Sequence, residues 1–242
     1  MSIESRNWMN RDARPVREGG RYMDAARATF LKKTYVHLGL AIVLFIIVEA
    51  LLLRAPFISS LVQAMAGGGM SWLIVLALFM GVAYGADKLA RSQAGAGVQY
   101  LGLGLYVLAQ ALIFAPLLLY ATQAPGGDGI LTTAAMVTLG VSGGLTGYVL
   151  ISGVNFSWLR GVVMVGGIAA MLTIVGSIIF GFHLGIFFAG LMVLLAATML
   201  LYQTSAAMHD WRTDQYVAAS LGLFASVMMM FYYVVVFLMN RD

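Results

Sequence analysis

The chain has 242 residues, of which 61% are hydrophobic and only 10% charged. An average soluble domain is about 45–50% apolar and about 25% charged, so this composition excludes soluble globular and disordered classes and reads as an integral membrane protein. The net charge of +4 sits in residues 1–33, which hold eight basic and four acidic groups. No aromatic-basic platform accompanies them, so nucleic acid is not an expected partner and anionic lipid headgroups are.

In chain order, the basic tail comes first. It is too long and polar, with no small-residue cleavage site, to be a secretory signal peptide. Residues 22–33 either extend the first membrane helix or lie on the membrane surface. Apolar stretches near bilayer length follow at 35–53, 71–86, 98–121, 130–150, 162–182, 184–202 and 216–239. The second is short and has room to begin within Gly67–Gly69. Residues 162–202 exceed one span, and Gly181-Phe182-His183 is the natural break. Alternating ten-residue strands are absent, so the expectation is an all-α bundle of seven transmembrane helices. Residues 1–33 form a cytosolic tail and 34–242 the membrane domain.

With the N-terminus cytosolic, Lys88, Arg91, Arg160 and Arg212 join the tail on the inner side, and Arg54 and Arg241 lie outside. Seven spans then put the C-terminus on the outer face. The outer turn 123–129 is rich in Gly and Pro and reads as a loop. The inner segment 204–215 reads as the longest cytosolic link between spans. Glycines at four-residue spacing (Gly81/Gly85, Gly140/Gly144, Gly143/Gly147, Gly181/Gly185) suggest close helix contacts. The fourth span is richest in them and is expected to be central. Pro116 should kink the third span near Leu112.

Candidate chemistry is sparse. There is no cysteine, which excludes disulfides, thiolate metal sites and thiol catalysis. Gly140-Val141-Ser142-Gly143 matches the GxSG pattern of rhomboid proteases, and a serine nucleophile needs a base within hydrogen-bond reach. Ser142 should lie about 18 Å inside the membrane at 1.5 Å per residue, whereas His183 belongs to an outer turn. Helix packing explains Ser142 better than proteolysis. His37, His183 and His209 fall at different ends of spans and cannot form one metal cluster. His209-Asp210 reads as solvated inner loop, and no cofactor is expected. Glu49 is the only acid within a span. Four residues from the outer end, it is expected to reach the interface rather than serve an ion route. The deeper polar groups, Gln110, Thr173, Gln203 and Ser226, are uncharged and do not titrate near neutral pH.

Several segments, taken in order, carry a family resemblance. Phe30-Leu31-Lys32-Lys33-Thr34-Tyr35 resembles the entry segment of the Bax inhibitor-1 (TMBIM, YccA-like) family. Asn155-Phe156-Ser157-Trp158-Leu159 is similar to that family's Asp-Phe-Ser turn, with Asn155 in the acid's place. Leu201-Tyr202-Gln203-Thr204 is similar to its Leu-Tyr-Asp-Thr motif. Residues 223–231, Leu-Phe-Ala-Ser-Val-Met-Met-Met-Phe, resemble its last-helix motif Leu-Tyr-Leu-Asp-Ile-Ile-Asn-Leu-Phe. The resemblance runs from about residue 28 to residue 240.

It implies a seven-helix bundle without enzymatic activity, bacterial inner-membrane residence, and regulation or scaffolding of other membrane proteins. An FtsH-type membrane protease is one implied partner. In members that leak calcium, two aspartates on the sixth and seventh spans couple protonation to pore closure. The matching positions here are Gln203 and Ser226, and Met229 replaces the last-helix Asn. Neither Gln203 nor Ser226 is charged, so carboxylate attraction for calcium is expected to be lost. The alternative, a calcium or cation leak, would have to use other polar lining such as Gln110 and Glu49. Proteolysis through Ser142 is the remote third reading.

Overall fold

A computed structural model describes residues 16–18, 21–23, 25–65, 67–124 and 126–241. A small antiparallel pair comes first, β1 (Val16–Glu18) against β2 (Arg21–Met23). Among the described residues eight helices follow: α1 (Ala25–Leu52), α2 (Ile58–Met65), α3 (Gly69–Ala90), α4 (Ala96–Gln123), α5 (Gly127–Ser152), α6 (Leu159–Phe180), α7 (Ile186–His209) and α8 (Tyr216–Met239). All except α2 are long and apolar enough to cross a bilayer, and these are the seven expected spans.

The ends follow from local chemistry. Gly181 takes φ +72°, closed to most L side chains, and its N–H donates to the Ser177 carbonyl at 2.9 Å. A left-handed glycine cap therefore ends α6 where the sequence placed a break. At the other end of the bundle, α1 starts at Ala25, so residues 25–33 extend the first helix instead of lying apart in a tail. Pro116 sits inside one unbroken helix.

Three expectations need correcting. The central helix is α8, not α5: α8 packs on α1, α3, α4, α5 and α7 and contributes the most buried side chains. The paired glycines do not make the close contacts. A Cβ added at Gly81, Gly85, Gly140, Gly143, Gly144, Gly147, Gly181 or Gly185 would meet open space. Tight approaches fall at other glycines: a Cβ at Gly102 would lie 2.6 Å from the Ala86 oxygen and Ala90 nitrogen, and Gly69, Gly127, Gly166 and Gly222 are also closely packed. Finally, α7 runs to His209, which shortens the inner link to 210–215. His209 is therefore helical, its Nδ1 2.9 Å from the Ser205 carbonyl oxygen, and not solvated loop.

Aromatic side chains fill the centre. Phe114 is fully buried and meets Phe45 and Tyr232 edge-on at 5.2 Å each, and stacks on Phe231 at 6.0 Å. Such geometry favours ring pairs beyond area burial. In contrast, α6 packs chiefly on α7 and touches α3, and no residue of its most apolar stretch is buried.

Candidate functional site

Four polar features interrupt this apolar bundle. The first is the contact between α7 and α8. Gln203 lays its carboxamide against Gly222, so close that a Cβ there would lie 2.9 Å from Oε1 and 3.0 Å from Nε2. One turn on, the fully buried Ser226 hydroxyl donates to the Gly222 carbonyl at 2.9 Å. Gln203 and Ser226 thus converge on one glycine, and the contact between them is neutral. The hydroxyls of Tyr35 and Thr204 are buried without a hydrogen-bond partner.

The second feature closes the end of the bundle where α1 begins and α7 finishes. Arg27 Nη1 donates to the carbonyls of Ala207 at 3.2 Å and Trp211 at 2.6 Å. A cation there meets the negative end of the α7 dipole and its unpaired carbonyls. The link between α5 and α6 is tied to the same helix. Phe156 N–H donates to Ser205 Oγ at 2.7 Å, and Asn155 Oδ1 accepts from Ser157 N–H at 2.8 Å. Around this rim, Lys33 lies over the Tyr216 ring, Lys88 over Tyr84 and Arg91 over Trp211, while His37 Nε2 and the Tyr100 hydroxyl are 3.0 Å apart. Basic groups interleaved with aromatic rings suit a membrane–water boundary.

The third feature is Glu49. It is only 4% exposed, and neither carboxyl oxygen has a hydrogen-bond partner. The expectation that it reaches the interface is therefore overturned: α1 turns this side chain inward against its neighbours, as it does Phe45 one turn earlier.

The fourth is a cavity of about 450 Å³ walled by α3, α4, α6, α7 and α8. Gln110 lines it, 7% exposed, with Oε1 unpaired. Glu49, Gln203 and Ser226 do not line it. Thus the polar positions singled out in the sequence divide into one pair (Gln203 and Ser226), one cavity residue (Gln110), one isolated acid (Glu49), and Thr173, whose hydroxyl donates to the Ala169 carbonyl of its own helix at 2.8 Å. The remaining candidate, Ser142, is buried with its hydroxyl 3.7 Å from the Met230 sulfur, whereas His183 is exposed in the link after α6. Among the described residues, the hydrogen-bond partner of this serine is a thioether and not a base of the kind that activates a nucleophile. Among the described residues, no three His, Asp or Glu side chains converge as metal ligands.

Sequence reasoning missed Arg27 and Ser205. Arg27 looked like one of many tail charges, and Ser205 fell in a segment assigned to loop. The spacing Tyr106, Gln110, Phe114 does put three cavity residues on one helical face, but the surrounding residues are equally apolar.

Seven spanning helices, of which α8 is the most buried, define a multi-pass integral membrane protein. The chain belongs to the Bax inhibitor-1 family: the family model described as "Inhibitor of apoptosis-promoting Bax1" matches residues 27–242. It is also similar to an uncharacterised protein of Pseudomonas aeruginosa, 34% identical over 110 residues. That similarity covers 44% of this chain and about half, 48%, of the relative's length. No solved structure matches.

Proposed function

We propose that this membrane protein acts without catalysis as a regulator or scaffold of other membrane proteins in a bacterial inner membrane, an FtsH-type protease being the candidate partner. In this reading the N-terminus is cytosolic, and Gln203 and Ser226 stand where calcium-leaking relatives hold paired acids. The observation that carries it is the neutral contact at Gly222. An amide and a hydroxyl neither share a proton nor attract calcium as two carboxylates do, so binding remains where gating chemistry is gone. Two features support a binding role. Gly140, Gly143, Gly144 and Gly147 of α5 face open space, and α6 has no buried stretch, which leaves small-residue and apolar faces available to partner helices.

The test is recovery of partners in mild detergent from the membranes of the native host. The tagged chain should bring down an FtsH-type protease, and less of it after deletion of residues 1–24 or in Gly144→Leu. Recovery no greater than from mock membranes counts against the reading.

The second reading, a cation leak, draws on Glu49, because unpaired acids inside a membrane bundle mark ion routes by default. Calcium-dye-loaded liposomes separate the two. Flux above empty vesicles that falls in Glu49→Gln favours the leak.

A further inference from the structure

The cavity beside Gln110 has the size and chemistry of a ligand site. Its volume of about 450 Å³ falls within the roughly 300–1,000 Å³ typical of small-molecule pockets. Gln110 lies mid-way along α4, roughly 20 Å from either end at 1.5 Å per residue, hence near the middle of the bilayer. The walls are aromatic and sulfur-rich: Trp72 and Phe79 of α3, Met171 of α6, Met192 of α7, and Met229 of α8. Thioether chains adapt to apolar ligands of varied shape.

Entry is lateral. Although α6 closes one side of the cavity, it is peripheral, and its wall residues, like those of α3, are only half-buried or exposed. Where α3 and α6 do meet, at Gly69 and Ile178, they touch toward one end. Away from that contact, the half-buried and exposed walls of α3 and α6 border the outside of the bundle.

An ordinary acyl tail would fill the space but would leave the Gln110 oxygen unpaired. A buried polar atom without a partner costs about 1–3 kcal/mol, so the pocket favours an occupant that supplies a hydrogen bond at that depth. Besides Gln110 the lining carries Tyr106, Tyr232, Tyr233 and the Trp72 indole, so an occupant with a hydroxyl meets further polar groups around an otherwise apolar wall. A hydroxyl both donates and accepts, so it satisfies the carboxamide in either orientation.

We propose that this cavity binds a neutral lipid alcohol, a single apolar chain bearing one hydroxyl, which enters from the bilayer between α3 and α6 and hydrogen-bonds Gln110. The site lies apart from the α7–α8 contact at Gly222, and its occupancy is independent of whether the protein scaffolds or conducts.

Trp72 is a built-in reporter. Replacing the other three tryptophans (Trp8→Phe, Trp158→Phe, Trp211→Phe) leaves one emitter on the cavity wall. The full-length chain in nanodiscs is titrated with a brominated hexadecanol, with its methyl ether, and with a brominated phosphatidylcholine. Saturable quenching by the alcohol is expected at lower membrane fraction than by the ether. Gln110→Leu should weaken the alcohol about tenfold, the effect of one hydrogen bond, and leave the ether unchanged. Ala170→Trp, measured by protection of Trp72 from quenching and corrected for the added emitter, should block the pocket. Equal quenching by alcohol, ether and phospholipid, or a Gln110→Leu variant that binds the alcohol as tightly, overturns the proposal.

Discussion

Replacing Gly102 by Ala should damage the bundle, although the change adds one methyl group and improves helix propensity. An added Cβ would lie 2.6 Å from the Ala86 oxygen and the Ala90 nitrogen and 2.9 Å from Leu89 Cβ, where ordinary contact begins at 3.4 Å. Two of these neighbours are backbone, so no rotamer change relieves the clash, and α3 and α4 must separate by most of an ångström. Gaps of that size forfeit a quarter to a half of each dispersion contact, and α3 and α4 form one of the two most extensive helix pairs. Overpacking of this kind costs about 1–3 kcal/mol, against at most about 1 kcal/mol gained from propensity. Gly144→Ala is the matched control, because its Cβ enters open space; it should be neutral or stabilising. Unfolding in mixed micelles of dodecylmaltoside and SDS, followed by tryptophan emission, measures both. A Gly102→Ala protein as resistant to SDS as the parent, or a Gly144→Ala loss of equal size, would refute the assignment of close contact.

Arg27→Ala should lower stability by about 1–2 kcal/mol through loss of its bonds to the Ala207 and Trp211 carbonyls. Arg27→Lys should retain part of that, and equal unfolding midpoints for all three proteins would speak against the cap. Glu49→Leu should stabilise the protein by about 1–3 kcal/mol, since it removes two buried oxygens that have no partner. A destabilised variant in the same SDS titration would show that the carboxyl is satisfied in the membrane. Gly222→Ala should crowd the Gln203 carboxamide, and Gln203→Ala in the same chain should restore much of the loss. Additive losses in that double-mutant cycle would show that the two residues do not touch.

The seven spans were legible because length and hydropathy alone specify a membrane helix, and Gly181 marked the break between α6 and α7. Which helix lies at the centre was not legible. In lipid the outward face is as apolar as the inward one, so helical periodicity loses its meaning, and glycine spacing was the remaining guide. That guide pointed to α5, whereas glycines that touch neighbouring helices, such as Gly102, Gly166 and Gly222, stand outside the repeated pairs. The polar run Thr204-Ser205, followed by His209, read as loop because exposed polar residues usually mark one. Here the helix continues, since the hydroxyls are buried and Ser205 holds the Phe156 N–H. The inward turn of Glu49 was hidden for a similar reason: distance from a helix end gives depth, and says nothing about facing. The cavity arises from five helices and has no local signature.

The central claim is that an uncharged α7–α8 contact leaves the bundle without an acid-controlled cation gate. Calcium entry into dye-loaded liposomes, measured at acid and at alkaline pH with increasing amounts of protein, tests it most directly. The account predicts entry indistinguishable from empty vesicles at both values. Entry that rises with protein and switches with pH would contradict it.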